Sequence, residues 1–140
     1  MDNKKPIVVF WFRRDLRFED NIGLFNALQS EHPVLPLFIF DDNILKELPR
    51  NDARVQFIHQ QLSILHAELQ NAGSSLLCMK GKPEEIWVQL MHLYEIAAVY
   101  TNRDYEPYAR QRDADVANLL ATQKIPFNTF KDQVIFEKNE

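Results

Sequence analysis

The sequence predicts a doubly wound α/β domain, a five-stranded parallel sheet with helices on both faces. Three observations predict it. Apolar runs of strand length alternate with longer segments of helical period along the chain. The strand-like runs are continuously apolar, the pattern of strands buried on both faces. The chain has 140 residues, 46% hydrophobic and 26% charged, which fits one soluble domain of ordinary size.

Ile7-Val8-Val9-Phe10-Trp11 reads as the first buried strand. Asn21 through Ser30 reads as a short helix, with Asp20 or Asn21 as its cap. Val34 to Phe40 is a second strand; its Pro36 lacks an N–H, which favours an early or irregular position. From Ala53 to Ala72, the residues Val55, Ile58, Leu62, Leu65 and Leu69 recur at helical spacing and form one apolar stripe. Gly73 follows where a left-handed cap is wanted. Leu76 to Met79 is a third strand. Pro83 opens a helix to about Tyr94, with Glu84 and Glu85 at its positive end. Ile96 to Tyr100 is a fourth strand, Pro107 to about Gln123 a helix, and Phe127 to Phe130 a fifth strand. Val134-Ile135-Phe136 reads as an edge strand or the start of a linker. Right-handed crossovers leave few topologies, and the flavodoxin-like order 3-2-1-4-5 is expected. Residues 1–136 form the expected domain, and 137–140 a frayed tail or linker start.

The formal net charge is -4. Phosphate neutralisation supplies most nucleic-acid affinity, so an acidic domain is a poor candidate to grip DNA by itself. A single cysteine, Cys78, rules out an internal disulfide and a cysteine-rich metal site. In its apolar run it is expected as a buried small hydrophobe. No stretch approaches the roughly 20 apolar residues of a membrane span, and no secretory leader pattern opens the chain. A reducing, cytoplasmic setting is expected.

In such sheets ligands bind beyond the carboxyl ends of the strands, where the strand order reverses. That crevice would lie between strands 1 and 4. The loops there are Phe12-Arg13-Arg14-Asp15-Leu16-Arg17 and Thr101-Asn102-Arg103-Asp104-Tyr105-Glu106-Pro107, bordered by Asp41-Asp42. Gly23, Gly73 and Gly81 fall in no phosphate-binding pattern. A ligand would be held by side chains: guanidinium forks, carboxylates and aromatic faces.

Trp11-Phe12-Arg13-Arg14-Asp15-Leu16-Arg17, followed by Asp20-Asn21, resembles the opening signature of the photolyase/cryptochrome family, W-x-R-x-D-L-R-x-x-D-N. The stretch Asn102-Arg103-Asp104-Tyr105-Glu106-Pro107-Tyr108-Ala109-Arg110-Gln111-Arg112-Asp113 resembles its second marker, an E-P-Y-x-R-x-R-D block. The likeness runs from Ile7 to about Val134. It implies the N-terminal α/β domain of a light-driven enzyme for ultraviolet-made pyrimidine dimers, or of a blue-light receptor. In the family this domain holds an antenna pigment that passes excitation to FAD. FAD and DNA bind a C-terminal helical domain, which would be this chain's partner. By that resemblance the fragment harvests light and is not catalytic alone. Folate-type members carry Asn-Glu where this chain has Tyr108-Ala109, so a deazaflavin is expected over a methenyl-folate. The matching pigment positions are Arg14, Asp15, Phe38, Phe40, Asp41, Arg54, Asp104 and Glu106. Trp11, Arg13, Arg17, Asp20, Asn21, Tyr108, Arg110, Arg112 and Asp113 carry the family signature and, by the same resemblance, an interface with the helical domain.

Plainer readings stand beside these. Arg13, Arg14, Asp15 and Arg17 could close a strand-to-helix turn by ion pairs. Arg103, Arg110 and Arg112 could face DNA, but interleaving with Asp104, Glu106 and Asp113 favours a salt-bridged helix start. Trp11 and Trp87 are expected in the core. His32, His59, His66 and His92 are scattered and form no metal pattern. A stand-alone nucleotide-binding or interaction domain of this fold remains an alternative.

Overall fold

A computed structural model describes residues 5–13, 21–41, 53–103 and 107–131. The elements are strand β1 (Ile7–Phe12), helix α1 (Ile22–Leu28), β2 (Val34–Asp41), α2 (Ala53–Asn71), β3 (Leu77–Gly81), α3 (Pro83–Leu93), β4 (Ile96–Asn102), α4 (Pro107–Ala121) and β5 (Phe127–Phe130). The strands form one sheet in the order β3-β2-β1-β4-β5. Every pairing is parallel. This is the expected topology. The expected segment Val134-Ile135-Phe136 and the 137–140 tail lie outside the described residues.

Two apolar layers follow from the pleat, because alternate strand residues face opposite ways. Val9, Trp11, Leu37, Ile39 and Val99 face one way and meet Ile86, Trp87 and Leu90 of α3 and Val116 and Leu120 of α4. Val8, Phe10, Phe12 and Phe38 face the other way and meet Leu24 and Ala27 of α1 and Leu62, Leu65 and Leu69 of α2. The chain winds from β1 out to β3, then jumps back across to β4. Right-handed crossovers therefore place the first two helices on one face and the last two on the other. Full burial of a leucine such as Leu65, Leu90 or Leu120 contributes about 2 kcal/mol. Trp11 and Trp87 meet edge to face at 5.5 Å in the core.

Local chemistry ends the helices where their patterns stop. Asn21, not yet helical, caps α1 by accepting the Leu24 N–H. Gly73 takes φ +84 after α2, and the Leu69 carbonyl accepts the Ser74 N–H at 2.8 Å. Pro83 is the first residue of α3. After α4 the same left-handed turn falls on Lys124, with φ 60, and Ile125 N–H reaches the Leu120 carbonyl at 3.0 Å. Pro36 is tolerated inside β2 because the ladder to β3 begins only at Leu37.

One expectation is corrected. Cys78 is exposed, not buried. β3 is an edge strand, and its Cys78 and Lys80 are exposed while Leu77 and Met79 pack inward. Partial burial still pushes the Cys78 thiol pKa up.

Candidate functional site

The strand order reverses between β1 and β4, and the carboxyl ends of these strands carry the densest polar structure of the described residues. On the α1 face, Asn102 ends β4 and turns its side chain to the helix start. Its Oδ1 accepts the Gly23 N–H at 2.9 Å. Its Nδ2 donates to Asn21 Oδ1 at 2.7 Å, and that oxygen also accepts the Leu24 N–H at 3.0 Å. A backbone N–H only donates, so the network itself orients both amides. Both asparagines are buried. Gly23 is required for this approach: a Cβ there would lie 2.7 Å from Asn102 Oδ1 and 2.7 Å from Phe10 Cε1. The clamp consumes the amides that a phosphate would use at a switch point. The lack of a glycine-rich phosphate motif has a structural counterpart here.

On the opposite face a charged cluster closes over Trp11. Arg13 follows β1 and donates to Asp113 of α4 at 2.5 Å and to the Asn102 carbonyl. Arg112 of α4 donates from Nε to the same Asp113 at 3.3 Å and lies 3.7 Å from Asp41, the last residue of β2. Asp41 accepts a closer hydrogen bond from the Tyr108 hydroxyl, at 2.8 Å, and this contact fixes its carboxylate. The guanidinium carbons of Arg13 and Arg112 lie 4.8 and 5.0 Å from the Trp11 ring centroid. Among the described residues, two positive and two negative side chains meet here. Arg13 and Arg112 are each 8% exposed and Asp41 6%. Burying charge is costly unless it is paired, and here pairing is supplied by hydrogen bonds and by the indole face.

Arg13 and Arg112 are tied down inside the domain, and Arg110 is exposed on α4. Arg103 donates to Thr129 at 3.4 Å on the surface.

A third feature is aromatic. Phe38 and Phe40 lie on the α2 face of β2, edge to face at 4.9 Å. Phe38 is 7% exposed, whereas Phe40 is half-buried and stacks on His59 of α2 at 5.1 Å. Strand alternation sends Asp41 to the other face, so Phe40 and Asp41 border the sheet edge from opposite sides. Arg54 lies in the first turn of α2. Arg14, Asp15, Arg17, Asp20, Asp104 and Glu106 lie outside the described residues.

Four contributors received no individual role from the sequence: Asn102 and Thr101, named only within loop and marker stretches, and Gly23 and His59. Thr101 donates its hydroxyl to the Trp11 carbonyl at 2.7 Å, locking β4 to β1. A signal existed for Asn102, a polar residue ending an apolar strand. None existed for Gly23 or His59, whose partners are remote in sequence. His66 serves the fold, since its Nδ1 accepts the Leu76 N–H at 3.3 Å.

The family model for DNA photolyase matches residues 8–140. A deoxyribodipyrimidine photo-lyase of Synechococcus is 38% identical over 133 residues, 95% of this chain and 28% of that protein. A cryptochrome DASH of Solanum lycopersicum is 34% identical over 106 residues, 71% of this chain and 18% of that protein. The crystal structure of an archaeal photolyase from Sulfolobus tokodaii with two FAD molecules superposes with a TM-score of 0.77 at 32% identity. That match covers 89% of this chain and 29% of the archaeal one. The chain thus spans less than a third of each of these relatives. Two separated markers, matched along the sequence and joined in space at Arg13, Asn102 and Asp113, agree with the comparisons: the chain belongs to the DNA photolyase family.

Proposed function

We propose that this domain is the light-harvesting part of a DNA photolyase. It would hold a flat antenna pigment at the carboxyl edge of the sheet and pass excitation to FAD in a C-terminal helical domain. The intact protein would be a deoxyribodipyrimidine photo-lyase, and DNA would be bound only through that second domain. Residues 1–136 would form the antenna domain, and 137–140 would lead into the linker. One observation carries the reading. The described parts of both family markers meet at one edge, where Arg13 bonds to Asn102 and Asp113.

The chemistry of that edge favours a neutral flat ring over a phosphate-anchored nucleotide, since the α1 amides are taken by Asn21 and Asn102. Phe40, with His59 stacked on it, offers a half-exposed aromatic face; Phe38 supports it from within. Arg14, Asp15, Arg54, Asp104 and Glu106 would supply groups for the polar edge and tail of the pigment, with Asp41 beside them. A deazaflavin is favoured over a methenyl-folate. Ala109 turns into the core, and Tyr108 is committed to Asp41, so neither position offers the Asn-Glu pair of folate-type members. The likeness to a cryptochrome DASH supports one other reading, the same domain in a blue-light receptor.

The test is retention of pigment. Purified protein is mixed with 8-hydroxy-5-deazariboflavin, FMN or methenyl-tetrahydrofolate and desalted. A deazaflavin that co-elutes with a red-shifted absorption band supports the proposal. Separation of all the pigments from the protein overturns it.

A further inference from the structure

We propose that the outer face of helices α1 and α2 is a docking surface for a second copy of this chain, giving a weak two-fold dimer. This surface is separate from the pigment edge. Four large apolar side chains carry it: Phe25 and Leu28 of α1 and Phe57 and Ile64 of α2 are each more than half exposed. Their spacings, one turn in α1 and two turns in α2, put each pair on one side of its helix. The two sides face each other. Gly23, Leu24 and Ala27 turn α1 to the sheet, and Leu62, Leu65 and Leu69 turn α2. α1 packs on β4 and β1, and α2 on β2, where His59 meets Phe40; the sheet order therefore sets the helices side by side. Both run against the strands, because each joins two parallel strands. With that direction and the right hand of the α-helix, Phe25 and Leu28 lean toward α2, and Phe57 and Ile64 toward α1. They flank one groove on the outside of the helix layer.

The composition of this face is that of an interface core. No Asp, Glu, Lys or Arg occurs from Ile22 to Leu28 or from Val55 to Ala67, in a chain that is 26% charged. Interfaces deplete charge at their centre and keep aromatic anchors there. Single exposed apolar residues are ordinary, but a group of them along one groove marks a binding surface. The lack of charge also selects the occupant. Two copies of net charge -4 repel each other, and least where they meet on faces without formal charge. An acidic or basic partner finds nothing here to pair with. The described parts of both family markers meet at the carboxyl edge instead, a different surface. A two-fold axis normal to the face sets each α2 antiparallel to its mate, and the apolar side chains of one copy enter the groove of the other. The four side chains present roughly 400 Å² per copy. A standard interface buries about 800 Å² per partner, so this dimer is weak, with Kd on the order of 10–100 µM.

The test is sedimentation equilibrium of the 140-residue chain from about 5 to about 500 µM. The mass should rise from one chain and level off at two. Ile64→Gln and Phe25→Gln each replace an exposed side chain, so circular dichroism of the dilute protein should not change. Each should weaken association at least about tenfold. Leu93→Gln, at an equally exposed apolar position of α3 across the sheet, should leave association unchanged. Added salt should not weaken it either, because no ion pair holds the face. A wild type that stays a single chain throughout overturns the proposal and leaves the face to a downstream segment or another protein. Growth past two copies overturns it as well, and so does equal weakening by Leu93→Gln. A loss of about tenfold on raising salt from about 0.05 to about 0.5 M does the same, since it would reveal an interface held by charge. Should one of the two groove variants fail to fold, the other decides: wild-type association there counts against the proposal.

Discussion

Replacing Gly23 by alanine adds a single methyl group where the structure has no room for it. The new Cβ would sit 2.7 Å from both Asn102 Oδ1 and Phe10 Cε1, and 3.2 Å from Asn102 Cγ. Neither neighbour yields easily. The Phe10 ring is fully buried and packs edge to face on Phe12 at 4.7 Å. Asn102 is held by Gly23 and Asn21 together. Overpacking of a tight interior costs about 1–3 kcal/mol. Displacing the Asn102 amide leaves buried donors unmet, at a further cost of about 1–3 kcal/mol. Against this, alanine gains about 1 kcal/mol over glycine in a helix. The net expectation is a loss of about 1–5 kcal/mol, a fall in the urea midpoint of roughly 0.5–2.5 M for a domain of this size. The assay is urea unfolding followed by tryptophan fluorescence, with Asn102→Ala and the double variant completing a cycle. In the Asn102→Ala background the Gly23→Ala penalty should shrink, since one of its two collisions is gone. A Gly23→Ala protein as stable as the wild type, or an undiminished penalty in the double variant, refutes the close-approach argument.

Other outcomes follow from separate contacts. Asp113→Ala removes the hydrogen-bond acceptor shared by Arg13 and Arg112 and should cost about 3 kcal/mol by denaturant unfolding. A change below about 0.5 kcal/mol would show the cluster to be solvated. Lys124→Gly should stabilise the protein by up to about 1 kcal/mol, because glycine adopts the left-handed turn after α4 without a Cβ penalty; a lower melting point would count against it. Cys78 should react with a maleimide in the folded protein, and its rate should climb only above the pH usual for a free thiol, since burial holds the proton on. Reaction only after unfolding would contradict its exposure. Phe40→Ala should weaken deazaflavin binding at least about tenfold while leaving cooperative unfolding intact. Unchanged affinity would remove the Phe40–His59 stack from the ligand site.

Much of the fold was legible because its signals are local. The stripe from Val55 to Leu69 defines a helix from one turn to the next, and its Leu62, Leu65 and Leu69 are buried against the sheet. Gly73, Pro83 and Asn21 mark their ends through backbone chemistry that needs no distant partner. Even the strand order was reachable, since right-handed crossovers prune the alternatives. The candidate site was legible only as two clusters of charged and aromatic letters. Nothing in the letters told an arginine that stays in solvent from one that dives under a helix: Arg110 is exposed and Arg112 buried, two residues apart.

By itself, then, the sequence determined the helices and strands and their order in the sheet. Those follow from periodicity and chirality, which act over a few residues. Only the tertiary structure decided which polar groups meet. Asn102 finds Gly23 from 79 positions away, and Arg13 finds Asp113 from 100. It also decided that Cys78 faces outward, because an edge strand has a neighbour on one side only. Such pairings depend on how far one strand end reaches past the next and which way its last residue points. Long-range register sets both, and no local window of sequence contains it.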